Sequence, residues 1–132
     1  MIGLDTNVLV RYVVQDDRAQ ARAATRLIEA KCSAETPGFV SLVVLTELVW
    51  VLDRAYGYSR ADIAAVLGAL FATAELRVES PELARTAAQS YAAGPADFAD
   101  YLIGYVHSAS GCEMAYTFDK RCAKSGVHAL IG

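Results

Sequence analysis

The chain has 132 residues, 55% hydrophobic and 20% charged, with a net charge of −3. That length and composition suit one compact domain with a sizeable core and exclude a disordered chain. The acidic balance excludes a protein that grips nucleic acid through a broad basic surface, though not one with a local basic rim.

The chain order predicts alternating strands and helices. "MIGLD" reads as a short buried strand ending at Asp5, and "TNVLVRYVV" follows with the helical spacing of Val8, Leu9 and Tyr12. The first apolar run starts at Ile2, which leaves no place for a charged leader. "DDRAQARAATRLIEAKC" predicts an amphipathic helix with Ala21, Ala24, Leu27 and Ile28 on its apolar face, and Pro37-Gly38 breaks the chain. "FVS" is a brief strand, and "LVVLTELVWVLDRAYG" is long enough for a helix closed by Gly57. The apolar stretch from Phe39 to Leu52 contains Glu47 and is too short for a membrane span. "SRADIAAVLGALFA" opens at Ser59 with Asp62 three residues on, a capping-box pattern. "LRVE" predicts a strand, and "SPELARTAAQSYAA" a helix with Ser80 as cap and Pro81 in its first position. After Gly94-Pro95, "ADFADYLIG" begins a helix running to about Gly111. "EMAYTF" is a strand, Lys120–Lys124 a short helix and "VHALI" a last strand. This alternation predicts a single α/β domain over 1–132, a central parallel sheet with helices on both faces.

In such sheets ligands sit beyond the carboxyl ends of the strands. Asp5 ends the first strand, Asp119 follows "MAYTF", and Asp97 and Asp100 open a helix whose N-terminus belongs to the same edge. Asp97 also suits an N-cap and Asp100 a third helical position, so helix initiation alone would account for both. Glu47 lies in a helix apolar nearly all round, which predicts burial; it needs Arg54 or a backbone N–H as partner, unless it joins the other acids. Clustered acids repel, and a hard divalent cation relieves the conflict. Oxygen ligands favour Mg²⁺ or Mn²⁺, while His107 and His128 lack zinc spacing to Cys32, Cys112 or Cys122. Three scattered cysteines predict reduced, mostly buried thiols and a cytoplasmic protein.

"LDTN", a Glu within the helix after the second strand, "DFADYLIG" and "TFD", in that order, resemble a PIN-domain ribonuclease. The short single-domain form most resembles the VapC-type toxins of toxin–antitoxin pairs. The resemblance implies a Mg²⁺- or Mn²⁺-dependent endoribonuclease with a catalytic set at Asp5, Glu47, Asp100 and Asp119, Asp5, Asp100 and Asp119 as metal ligands, and Asp97 as cap, outer ligand or both. It also implies an RNA substrate, a cognate VapB-like antitoxin and a homodimer, with no membrane association.

Thr6 and Asn7 follow Asp5, and Thr117 precedes Asp119 by two residues; each is placed to orient its aspartate, or to serve as an ordinary cap or strand residue. Arg11, Lys120 and Arg121 are solvated charges or phosphate contacts. Trp50, Tyr12, Tyr101 and Tyr105 sit among apolar neighbours and predict core or interface packing. Two alternatives are an aspartyl-phosphate domain and a catalytically inactive PIN-like module that binds RNA or protein. Asn7 stands where a haloacid-dehalogenase-type phosphatase needs a second Asp, and nothing in the acidic set is deleted.

Overall fold

The computed structural model describes residues 1–132 and divides into two compact units, Met1–Pro81 and Glu82–Gly132. In the first, β1 (Ile2–Gly3) leads into α1 (Thr6–Val14) and α2 (Arg18–Lys31), then β2 (Gly38–Val40), α3 (Leu42–Arg54), α4 (Arg60–Ala72) and β3 (Leu76–Val78). The strands form a parallel sheet in the order β1-β2-β3, with Ile2 opposite Gly38 and Gly38 opposite Leu76. Ser41 caps α3 by accepting the Val44 N–H, and Ser59 caps α4 by accepting the Asp62 N–H. These caps stabilise helix starts by about 1 kcal/mol each. They help a valine-rich segment such as α3 stay helical. Leu9, Val40, Leu45, Leu48, Leu52 and Leu67 are fully buried.

The second unit takes up α5 (Pro81–Ala93), α6 (Phe98–Ala109), β4 (Ala115–Thr117), α7 (Lys120–Ala123) and β5 (His128–Leu130). β4 and β5 form a separate parallel pair. Buried side chains here are smaller or aromatic: Ala84, Ala87, Ala96, Tyr91, Phe98 and Tyr101. The Tyr91 and Phe98 rings meet edge to face at 6.1 Å. Gly104 in α6 permits a close approach, since a Cβ there would lie 2.7 Å from Val127 Cβ.

The elements follow the sequence expectation closely, and the fold is α/β with parallel strands. One point differs. Hydrogen bonding divides the expected central sheet into a three-stranded and a two-stranded ladder. Alternating helix and strand predicts parallel pairing, but strands of two or three residues do not reveal which of them share a ladder. No helix is long and apolar enough to cross a membrane.

Candidate functional site

In the first unit Asp5 is exposed immediately after β1 and is the N-cap of α1. Its Oδ1 accepts the Thr6 N–H at 2.7 Å, and its backbone carbonyl accepts from Val8 and Leu9. One carboxylate oxygen thus fixes the helix start while Oδ2 remains for other work. Thr6 is 9% exposed, and its Oγ1 is buried with no hydrogen-bond partner. A buried hydroxyl left unsatisfied costs about 1–3 kcal/mol. Such an orphan beside an exposed carboxylate marks a place where a ligand or a bound water would complete the bonding. Asn7 is exposed one position further on.

Glu47 departs from expectation: it is exposed rather than buried. Leu45, Leu48, Val49 and Leu52 take the inward face of α3, whereas Val43, Glu47 and Trp50 follow one another on its solvent face at helical spacing. A helix apolar all round gives no periodicity from which to choose the inward face. Exposed to water, Glu47 needs no buried counter-charge, and Arg54 pairs with its neighbour Asp53 at 3.8 Å instead. Trp50, expected in a core or interface, is 61% exposed, while Tyr101 is buried as expected.

Arg11 is not a free phosphate contact. Its guanidinium donates to Gln20 Oε1 at 2.6 Å, Asp16 Oδ1 at 2.9 Å and Tyr56 Oη at 3.3 Å, and Tyr56 donates to Asp16 Oδ2 at 2.9 Å. The Tyr56 hydrogen bond, aided by Arg11, holds the Asp16 carboxyl below its ordinary pKa. Desolvation alone would lower the Arg11 pKa, but the Asp16 bond and charge outweigh it and raise the guanidinium above its ordinary value. This cluster joins residues 40 and 45 positions apart, and no local motif announces it.

In the second unit the predicted acids are knitted together. Asp97 is the N-cap of α6, and Asp100 Oδ2 accepts the Asp97 N–H at 3.1 Å, the firm half of a capping box. Asp97's own carboxylate makes no cap bond of ordinary geometry and instead faces Arg121 at 3.5 Å. Asp119 caps α7, its Oδ1 accepting from the N–H groups of Arg121 at 2.8 Å and Cys122 at 3.2 Å. Thr117 Oγ1 accepts the Asp119 N–H at 3.0 Å, so it positions the Asp119 backbone rather than the carboxylate. Arg121 Nε also donates to the Pro95 carbonyl at 3.0 Å. A single residue therefore touches Asp119 through its backbone and Asp97 through its guanidinium.

The buried thiol of Cys122 interacts with Thr117, Asp100 and Asp119, a role that its place in the sequence does not announce. Burial pushes its pKa up; a hydrogen bond with Thr117 opposes this, and Asp100 and Asp119 add smaller upward pushes, so the net direction is up. Cys32 is buried too, while Cys112 is exposed.

A PIN domain family model matches residues 2–126, a span that takes in Asp5, Glu47, Asp97, Asp100 and Asp119. The chain belongs to the PIN-domain family. No curated protein and no solved structure matches it. The PIN domain is a nuclease-type fold, generally that of a metal-dependent ribonuclease. No three Asp, Glu, His or Cys side chains form a metal-holding group. The donor chemistry nonetheless fits a hard divalent ion. In the first unit Asp5 spends one carboxylate oxygen on its helix cap and keeps the other, beside the orphan Thr6 hydroxyl, and in the second unit Asp119 likewise keeps one oxygen outside its cap; oxygen donors of this kind suit such an ion.

Proposed function

We propose that this PIN domain, acting as one domain over 1–132, is a Mg²⁺- or Mn²⁺-dependent endoribonuclease and the toxin of a toxin–antitoxin pair. Asp5, Glu47, Asp100 and Asp119 form its catalytic set. Asp5, Asp100 and Asp119 hold the metal, and Asp97 is an outer ligand as well as a cap. Family membership over 2–126, with these acids at strand ends, helix starts or an exposed helix face, is the observation that supports this reading. When bound, the ion activates a water and offsets charge on a phosphoryl oxygen.

The chain's own residues do the positioning. Helix capping fixes the Asp5 and Asp119 backbones and one oxygen of each carboxylate, so little rotamer freedom is left to lose. Asp97 and Asp100 set the start of α6, and Arg121 offsets the Asp97 charge. The protein acts on RNA in the cytoplasm as a homodimer, and a VapB-like antitoxin controls it. In the first unit a hollow of about 530 Å³ between α1 and α2, lined by Val8, Ala23, Ala24 and Leu27 beside Asn7, Arg11 and Gln20, supports apolar docking of that partner. An arginine of the partner directed at the acidic rim would complete inhibition by pairing with carboxylates.

The test is cleavage of an RNA panel with Mg²⁺ or Mn²⁺ and with EDTA. Metal-dependent endonucleolytic products, lost in Asp5→Asn, are expected. Metal-independent cleavage, or a stable phosphoenzyme with a small phosphodonor, would overturn the assignment.

A further inference from the structure

The second unit carries an aromatic face that the acidic set does not use. Along β4 and just beyond it, Ala115 and Thr117 turn inward, while Tyr116 and Phe118 turn out with 68% and 80% exposure. Two residues apart on an extended segment, they share one face. Across the ladder Tyr116 stands opposite Ala129, too small to cover its ring, whereas Ala115 and its partner His128 are buried on the other face. Large apolar rings left in water gain nothing for folding.

Phe118 is followed at once by Asp119 and then by Lys120, Arg121 and Lys124 on and beside α7, all exposed. Arg121 is committed to Asp97 and Pro95. Lys120 and Lys124 remain as a local positive edge in a chain of net charge −3. Exposed aromatic rings flanked by cations match bases and phosphates of an unpaired strand. A purely apolar protein partner would not call for the lysines.

We propose that Tyr116 and Phe118 form a stacking platform for unpaired bases, with Lys120 and Lys124 holding the adjoining phosphates, next to Asp119. The assignment rests on the ribonuclease reading for its ligand class, and it makes single-stranded segments the part of the RNA that this face selects. Stacking on two aromatic rings tolerates many sequences, so the platform selects unpaired structure more than base identity.

The test is fluorescence anisotropy in EDTA with a labelled eight-nucleotide oligouridylate and with a fully paired RNA duplex, followed by cleavage kinetics with Mn²⁺. Phe118→Ala and Tyr116→Ala should each weaken single-strand binding by roughly five- to 100-fold, with little change on duplex, and raise KM far more than they lower kcat. Phe118→Trp should bind like the parent, because it keeps a π-face. Phe118→Leu should lose nearly as much as Phe118→Ala; parental binding in Phe118→Leu would mean an ordinary apolar contact, as for a protein partner, and would overturn stacking. An active enzyme whose alanine variants keep parental binding and KM would also overturn the platform while leaving the ribonuclease assignment intact. Aromatic-dependent binding without metal-dependent cleavage would uphold the platform and overturn that assignment instead.

Discussion

The two units treat their acidic residues differently. In the first, Asp5 makes a single side-chain cap bond beside an orphan hydroxyl, and Glu47 faces solvent while Arg54 pairs with Asp53. In the second, Asp97, Asp100 and Asp119 share Arg121, Thr117 and Cys122 in one connected group. Acids held in a network keep their places whether or not a ligand is present. The second unit thus holds its acids in a network, whereas Asp5 in the first is held by its helix cap alone.

The largest effects should come from removing charge in both units. Asp5→Asn and Asp119→Asn keep capable N-caps, so each should melt near the parental temperature while metal-dependent cleavage falls by more than about 100-fold. Loss in one variant only, measured by initial cleavage rates at saturating Mn²⁺, would remove the other aspartate from the proposed catalytic set.

Stability separates the units next. A Cβ at Gly104 would collide with Val127, a stiff β-branched side chain, whereas one at Gly38 would meet flexible side-chain ends, Leu4 Cδ1 at 2.8 Å and Cys32 Sγ at 2.9 Å. Gly104→Ala should cost about 1–3 kcal/mol and Gly38→Ala less, in urea denaturation. The reverse order would mean that the second unit relaxes more readily than its packing implies.

Within the second unit, Asp97→Asn should lower activity by a few-fold only, and less than Asp100→Asn. It forfeits a solvent-exposed ion pair worth under about 1 kcal/mol and retains a capping residue. Equal, complete loss in both variants would place Asp97 among the direct metal ligands.

The smallest effect concerns the Asp16–Tyr56 bond. Because the folded Asp16 pKa is depressed below its ordinary 3.8, the resulting stability is present above that pH and disappears as pH falls through the lower folded value. Tyr56 is raised above 10.0, chiefly by the Asp16 bond, so its contribution is present below pH 10 and lost as pH rises through the higher folded value. Tyr56→Phe should therefore lower the melting temperature at pH 7, by less at pH 2 to 3. A deficit independent of pH would show that the hydroxyl acts through packing alone.

Much of this organisation was legible in the chain. The helix start at Ser59 and the opening of α6 after Asp97 follow from local chemistry, because a helix start needs only its own first turn, while Ser41, read as the end of a strand, proves to cap α3 as well. Glu47 was misplaced because α3 is apolar nearly all round, and such a helix does not declare its inward face. The proposed cap at Ser80 did not form as expected: that residue lies at φ 45°, outside the extended conformation an N-cap adopts. The Arg11–Asp16–Tyr56 cluster and the interaction of Cys122 with Asp100 depend on tertiary packing, which spacing along the chain does not encode.

Ser41 has a consequence of its own. It stands at the end of β2 and starts α3 with a neutral hydroxyl, the same task that Asp5 performs for α1 after β1. Strand-to-helix turns in this protein therefore tolerate a cap without charge. If the proposed ribonuclease and stacking roles hold, Asp5→Ser together with Asp119→Ser should yield a folded, non-cutting protein that still presents Tyr116 and Phe118, a decoy able to retain RNA intact. Crosslinked in cells and sequenced, the retained strands would reveal the target that a cutting enzyme destroys.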